Sequence, residues 1–111
     1  MTEPRLTAEF WVSAYLARLR LADIPVFVTA RGDPTAGAVI VKLNTLDGRA
    51  EAFQRAWDFS GARVWASFAQ GPEAEVDAAL SRQRARDPDL WVIEVEDRAG
   101  RTFLDAQGLE A

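Results

Sequence analysis

Three carboxylates near the C-terminal end of the sequence, Asp89, Glu94 and Glu96, are the residues best suited to chemistry. In a strand, Glu94 and Glu96 share a face, so both carboxylates could approach one cation. Oxygen ligands suit magnesium, calcium or manganese. The alternative, which we favour, is that these carboxylates lie on a solvated edge of the sheet and form ion pairs with Arg98 or Arg101. Exposed acidic pairs are common on protein surfaces and usually have no functional role. We therefore predict no metal and no cofactor, and keep the carboxylate site as the alternative.

Two further groups of charged residues are candidates for an interaction surface. Arg82 and Arg86 lie one helical turn apart in a predicted helix and face the same way, so they could hold a phosphate or an acidic partner. Their position at the C-terminal end of that helix also suits cations. Arg31 and Asp33 flank Gly32 in the integrin-recognition tripeptide, which we interpret as a turn. Nothing in the sequence indicates an extracellular protein.

The residue types that are missing exclude much of catalytic chemistry. The chain contains no histidine and no cysteine. Thiolate nucleophiles, disulfides and Cys-ligated metals are therefore excluded, and the commonest general base is absent. Lys42 is the only lysine. These absences favour a noncatalytic role.

The four tryptophans, Trp11, Trp57, Trp65 and Trp91, offer another candidate site. They could line a ligand pocket, but large aromatic residues at this periodicity more often form a core. Trp91 shares a predicted strand face with Ile93 and Val95, so we expect Trp91 to be buried.

Length and charge restrict the class of protein and its partners. With 111 residues, the chain has the size of one globular domain, 1–111. Its 13 basic and 17 acidic residues give a formal net charge of −4, the wrong sign for a dedicated nucleic-acid binder. No apolar run has the length of a signal peptide or a membrane span. We expect a cytoplasmic protein that binds neither nucleic acid nor membrane.

Helical and strand periodicities predict seven main elements. The first helix carries an apolar stripe and begins at Thr7, which can cap it. A second helix opens at Gly71-Pro72-Glu73 and ends before Asp87-Pro88-Asp89. The first helix and the five strands are predicted at 7–22, 25–29, 38–43, 50–57, 64–68 and 90–96. Residues 102–104 could add a short last strand.

These elements predict an α+β fold with a mostly antiparallel sheet of about five strands and two helices, in the order α-β-β-β-β-α-β. Short turns between successive strands favour an antiparallel meander. The strand at 38–43 is apolar on both faces until Lys42, which indicates a central strand covered on both sides. The sequence leaves open whether the two helices share one face of the sheet or lie on opposite faces, and this pattern favours opposite faces.

Several strings of residues resemble a known family. They include Trp11-Val12-x-Ala14-Tyr15-Leu16, and Arg31-Gly32-Asp33 followed by Ala36-Gly37-Ala38-Val39. The longest string runs from Pro72-Glu73-Ala74-Glu75-Val76-Asp77 through Arg82-Gln83-Arg84 to Asp87-Pro88-Asp89-Leu90-Trp91-Val92. It is followed by Glu94-Val95-Glu96-Asp97-Arg98 with Gly100-Arg101. Over nearly the whole chain, the sequence resembles the bacterial domain-of-unknown-function family numbered 1491. The resemblance implies a one-domain bacterial protein without an assigned activity or catalytic residue.

Together, these observations predict a noncatalytic protein-interaction or regulatory module that acts with a protein partner or as a homo-oligomer. The alternative is a divalent-metal-dependent enzyme or a ligand-binding protein that uses Asp89, Glu94 and Glu96. Whether the protein is an enzyme stays open at this point, with a noncatalytic role favoured.

Overall fold

The computed structural model describes residues 6–105 and confirms the predicted α+β class and order of elements. Residues 1–5 and 106–111, which the single-domain prediction includes, lie outside the described residues. Within the described range, neither helix has the length and apolar character needed to cross a bilayer. The elements are α1 (Ala8–Leu21), β1 (Val26–Ala30), β2 (Val39–Asn44), β3 (Arg49–Trp57), β4 (Arg63–Pro72), α2 (Glu73–Arg86) and β5 (Trp91–Glu96).

The five strands form one sheet in the order β1-β5-β2-β3-β4. Strands β2, β3 and β4 form the predicted antiparallel meander. Strand β5 lies between β1 and β2, antiparallel to β1 and parallel to β2. The chain reaches this position through α2, because two parallel strands need a long crossover connection. Strand β1 is therefore separated from β2, which the meander pattern alone did not predict.

The two helices cover opposite faces of the sheet, and strand β2 shows this directly. Val41 packs in the core beneath α1, with Trp11 and Tyr15. The preceding residue, Ile40, packs with Val76 of α2 in a second core. Successive side chains of a strand point to opposite faces, so an apolar run in β2 supplies both cores. This arrangement agrees with the prediction of a central strand covered on both sides, and it places the two helices on opposite faces, which the sequence left open.

Helix α1 begins where the capping pattern predicted. The Thr7 hydroxyl accepts a hydrogen bond from the backbone N–H of Phe10 at 3.1 Å, which satisfies one of the free donors of the first turn. The stripe residues Trp11, Tyr15 and Leu19 are all buried. The sequence pattern therefore identified both the start of α1 and the face that packs on the sheet.

The prediction of a short last strand at residues 102–104 was wrong. Phe103 has a φ angle of 55°, and this left-handed conformation interrupts an extended strand. The segment is instead attached to α1, because the Tyr15 hydroxyl donates to the Thr102 carbonyl at 2.7 Å. Burial raises the pKa of Tyr15 above its ordinary value. Leu104 completes the core beneath α1.

An ion pair closes the turn after β5 and predicts a response to acid. Asp97 is buried and accepts from the Arg101 backbone N–H at 2.7 Å and from its Nε at 2.9 Å. The guanidinium and backbone hydrogen bonds from Arg101 lower the pKa of Asp97 to about 2. A depressed carboxyl pKa contributes stability that is present above the unfolded value, near 3.8, and is lost as the pH falls toward 2.

We therefore expect Asp97→Asn to lower the urea midpoint of unfolding at neutral pH. The difference from the wild type should shrink as the pH falls from about 4 toward 2, because the wild-type carboxyl is protonated there. Asp23→Asn, which changes a carboxyl in the turn after α1, is the control. A difference that stays constant down to pH 2 would show that Asp97 acts through shape and not through charge.

Candidate binding pocket

A pocket of about 430 Å³ opens on the α1 side of the sheet. The start of α1, the loop before β2 and the β3–β4 hairpin form its walls. This volume lies in the range of natural ligand sites. The described lining residues are Leu6, Thr7, Ala8, Trp11, Thr35, Ala36, Gly37, Ala38, Val39, Arg55, Arg63 and Trp65.

The hairpin wall carries two arginine–tryptophan pairs. Arg55 lies opposite Trp65 in the register of β3 and β4, and Trp57 lies opposite Arg63. The Arg55 guanidinium carbon is 5.0 Å from the centre of the Trp65 ring. The corresponding distance from Arg63 to Trp57 is 6.0 Å. Both distances are within the range of cation–π attraction, so each arginine is held over an indole ring.

Trp65 connects the hairpin to the core. Its ring centre lies 5.3 Å from that of Trp11, and Trp11 stacks on Tyr15 at 4.9 Å. In the described part of the chain, the Trp65 indole nitrogen is buried and has no hydrogen-bond acceptor. A buried donor without an acceptor costs about 1–3 kcal/mol. The pocket wall thus combines a rigid aromatic base with a donor that a ligand acceptor would satisfy.

The loop on the other side of the pocket is held by backbone hydrogen bonds. The backbone N–H groups of Ala8 and Glu9 donate to the carbonyls of Thr35 and Pro34, at 3.1 and 2.8 Å. The start of α1 therefore uses its free donors to fix this loop and does not present them to the pocket. A Cβ atom at Gly37 would overlap the backbone oxygen of Asp89, so a glycine is needed there. The rim is rigid because its backbone is packed and bonded.

Two arginines supply the ionisable side chains among the described lining residues of this pocket, Arg55 and Arg63. A guanidinium group stays protonated in proteins.

A second concentration of charge lies on the opposite face, around Lys42. The side chain of Lys42 is only 5% exposed, and its ammonium lies 2.7 Å from Glu73, 2.7 Å from Asp77 and 3.1 Å from Glu94. Burial alone lowers the pKa of this lysine, but the hydrogen bonds that its ammonium donates to the three carboxylates raise the pKa above its ordinary value overall. An ammonium has three donors, and three carboxylates surround this one. We interpret the cluster as the attachment of α2 to the sheet.

Two carboxylates of the alternative metal site, those of Glu94 and Asp89, have separate contacts in the structure. Glu94 accepts from Asn44 at 3.3 Å and pairs with Lys42. Asp89 lies in the turn before β5, where its backbone N–H donates to Asp87. The five residue steps from Asp89 to Glu94 span roughly 16 Å if extended. Within residues 6–105, no group of three or more His, Cys, Asp or Glu residues is placed to hold a metal ion.

The predicted interaction residues Arg31 and Asp33 serve the fold in this structure. The Arg31 guanidinium lies 5.0 Å from the Trp91 ring centre. The Asp33 carbonyl accepts from the Trp91 indole nitrogen at 2.8 Å, and its carboxylate accepts from the backbone N–H of Ala36 at 2.7 Å. The turn interpretation of this tripeptide therefore agrees with its contacts.

Arg82 and Arg86 lie exposed on α2. The arginine between them makes the long-range contacts instead. Arg84 donates to the carbonyls of Arg31, Pro88 and Leu90 at 2.6, 3.0 and 3.0 Å. These bonds tie the end of α2 to the loop that covers Trp91.

Sequence reasoning missed Arg55 and Arg63, although a signal for them is present. Each of the two hairpin strands contains the pattern Arg-x-Trp, at residues 55–57 and 63–65. Residues two apart in a strand share a face. Two such patterns on either side of a turn would place arginine opposite tryptophan in one of the registers open to an antiparallel hairpin.

These features define a small α+β domain whose mixed sheet lies between two helices and carries an arginine–tryptophan pocket on one face. The chain belongs to the family described as "Protein of unknown function (DUF1491)", whose family model matches residues 6–105. The resemblance found in the sequence is thereby confirmed. No curated protein matches the chain.

Solved structures similar to this chain support the same family. A crystal structure of a DUF1491 family protein from Caulobacter crescentus CB15 is 38% identical, with a TM-score of 0.81, and the match covers 90% of this chain and 95% of that one. An NMR structure of a DUF1491 family protein from the same organism is 37% identical, with a TM-score of 0.77, and the match covers 91% of this chain and 94% of that one. A solution structure of a protein from A. tumefaciens is 31% identical, with a TM-score of 0.69, and the match covers 84% of this chain and 86% of that one.

Proposed function

We propose that this chain is a noncatalytic protein-interaction module of the bacterial cytoplasm, and that the pocket between α1 and the β3–β4 hairpin binds a peptide segment of a partner protein. The observation that carries the proposal is the pair of arginine–tryptophan contacts on the pocket wall. Tryptophan and arginine are enriched among residues that dominate binding energy at protein interfaces. The pocket combines both types on a rigid sheet.

The chemistry of the pocket favours binding over catalysis. Its described ionisable side chains are arginines, which neither accept nor release protons near neutral pH. General acid–base catalysis needs a group that titrates near the working pH. The indole rings of the same wall are well suited to hold a ligand, since they offer a large apolar area.

The hairpin end enlarges the surface that a partner could contact. Trp57 is 67% exposed, and Phe59 in the turn is fully exposed. Large aromatic side chains at the edge of a pocket supply contact area at a small cost in conformational entropy. A second copy of this chain could also bind this surface. A measurement of the oligomeric state in solution distinguishes such self-association from binding of a different partner protein.

The test is peptide binding observed at the indole N–H signals of the labelled protein. Peptides selected from a random dodecapeptide library should shift the signal of Trp65 and leave that of Trp91 unchanged. The Trp91 indole is covered by the 31–33 loop and donates to Asp33, so it serves as an internal reference. Trp65→Ala should abolish the selected binding, whereas Phe27→Ala, which removes an exposed aromatic on the distant edge strand β1, should preserve it.

A library that yields no binding peptide would contradict the proposal. So would selected peptides that shift Trp91 while Trp65 stays in place, because they would locate the binding surface elsewhere.

A further inference from the structure

We infer that the partner segment binds as an extended strand that pairs with the free edge of β4; this inference rests on the proposed function. Strand β4 is the last strand of the sheet and pairs with β3 on its inner side. Within residues 6–105, no other strand lies on its outer side, and no turn or loop forms a backbone hydrogen bond with residues 64–70. An edge strand carries a row of N–H and C=O groups that another extended backbone can satisfy.

The two edges of the sheet differ in how well they are protected against such pairing. The opposite edge, β1, has five residues and a register shift between Val28 and Ala30. Short strands and bulges commonly protect sheet edges. Strand β4 has ten residues, and no charged residue follows Arg63 in it. Because charged side chains also protect edges, β4 is the edge that is open to an added strand.

A bulge restricts the pairing surface to the part of β4 next to the hairpin turn. Ala52 pairs with Ala69, whereas the next residue of β3, Phe53, pairs with Ser67, so β4 carries one extra residue at this point. A bulge bends the strand that contains it. Residues 64–67 therefore form the straight part of the edge, and Trp65 within it also lines the candidate pocket.

The side chains of an added strand would alternate between the two faces of the sheet. Trp65 packs against the core beneath α1, and Ser67 shares its face because residues two apart in a strand point the same way. A residue directly opposite Trp65 would have its Cβ atom about 4.5–5.5 Å from that of Trp65. Every second side chain of the segment would therefore lie on the pocket side of the sheet, beside the indole ring.

The composition of the edge decides which segment fits it. Residues 64–67 are Val-Trp-Ala-Ser and carry no charge, so a charged side chain opposite them would lose hydration without gaining an ion pair. Paired strands favour β-branched and aromatic residues. The partner segment is therefore an extended one that is uncharged at its centre and has an apolar residue at every second position. Selection from the dodecapeptide library should enrich this pattern.

The main experiment is a scan in which single N-methyl groups are placed along a selected peptide. In an added strand, alternate residues direct their N–H groups toward β4 and the residues between them direct theirs away. Methyl groups at one set of alternate positions should weaken binding about tenfold or more, and those at the other set should have little effect. Fluorescence anisotropy of the labelled peptide measures the affinity. A peptide held by its side chains alone would show no alternation.

Amide hydrogen exchange of the wild type gives a second measurement that needs no variant. In the free protein, the amides of residues 64–67 that point outward should exchange fast. The bound peptide should slow them several-fold and leave the amides of β1 unchanged. Slow exchange of all four amides in the free monomer would contradict a free edge and overturn the inference.

Proline substitutions test the edge from the side of the protein. Proline is tolerated in an edge strand where the N–H that it removes would point to solvent. Of Ala66→Pro and Ser67→Pro, the one that retains the fold should therefore bind the peptide about tenfold or more weakly. The folded variant of Phe27→Pro and Val28→Pro, on the opposite edge β1, is the matched control and should keep the wild-type affinity.

The outcomes separate this inference from the proposed function. Peptides that shift the Trp65 signal but show no alternation in the N-methyl scan would overturn strand pairing and leave the proposed function standing. The absence of any peptide binding would overturn both. A dimer of the free protein that the folded β4 proline variant dissociates would identify a second copy of β4 as the occupant of the edge, and would overturn a partner segment.

Discussion

We expect Trp91→Ala to lower the free energy of unfolding by about 4 kcal/mol. Trp91 is 1% exposed and lies in the core beneath α1. Its indole nitrogen donates to the Asp33 carbonyl at 2.8 Å, and Arg31 lies above its ring. The alanine variant therefore loses packed area, leaves a cavity and removes the contact that holds the 31–33 loop.

Urea denaturation with fluorescence detection measures the effect, and a second tryptophan supplies the matched control. Trp57→Ala removes the same side chain from a position that is 67% exposed, so the expected loss is below about 1 kcal/mol. The loss of unfolding free energy in Trp91→Phe should lie between those of the two alanine variants, because phenylalanine keeps an aromatic ring but cannot donate the hydrogen bond to Asp33. Equal losses at positions 91 and 57 would contradict the burial that separates them.

We expect Lys42→Met to lower the free energy of unfolding by about 3 kcal/mol. The substitution keeps the apolar stem but removes the cation that faces Glu73, Asp77 and Glu94. Removing one partner from a buried ion pair leaves uncompensated charge and costs about 3–5 kcal/mol. We expect a cost at the lower end of this range, because the Asp77 side chain is 53% exposed and water screens its interaction with Lys42.

Glu94 is the least exposed of the three carboxylates, so a second substitution there tests the mechanism. Lys42→Met/Glu94→Gln should regain part of the loss, because one uncompensated charge is removed and the amide oxygen can still accept from Asn44. Arg82→Met, at an exposed site on α2, should cost less than about 0.5 kcal/mol. Strictly additive effects of the first two substitutions would show that no coupling exists.

The pH dependence provides an independent measurement of the Lys42 cluster. The pKa of Lys42 is raised in the folded protein, so its contribution is complete below the unfolded value, near 10.5, and is lost as the pH rises through the folded value. The difference between the wild type and Lys42→Met should thus be constant between about pH 7 and pH 9 and decrease above about pH 10.5.

The sequence determined the features that depend on local spacing. The buried stripe of α1, from Trp11 to Leu19, follows from helical periodicity, and Thr7 follows from capping chemistry. Two-sided apolarity in β2 correctly indicated a central strand covered on both sides, although it left open whether the two helices lie on opposite faces. The strand face of Trp91, Ile93 and Val95 was also predicted, and all three residues are buried. In each case the signal lies within one element, where the geometry of the backbone fixes which residues share a face.

Only the tertiary structure decided how distant elements meet. The insertion of β5 between β1 and β2 depends on the path of α2, and no local pattern reports that path. Lys42 meets carboxylates 31, 35 and 52 positions further along the chain, so its burial could not be derived from its neighbours in sequence. The same crossover places Glu94 beside Lys42.

The candidate pocket is also a feature that only the tertiary structure decided. Its arginine–tryptophan pairs require one register of the β3–β4 hairpin, in which Arg55 faces Trp65, and a shift of one residue would turn these side chains to opposite faces. Its other wall requires the start of α1 to pack against the loop before β2. Spacing alone could place Arg-x-Trp on one face of a strand, whereas the ring of Trp11 reaches Trp65 only because the helix and the hairpin cover the same side of the sheet.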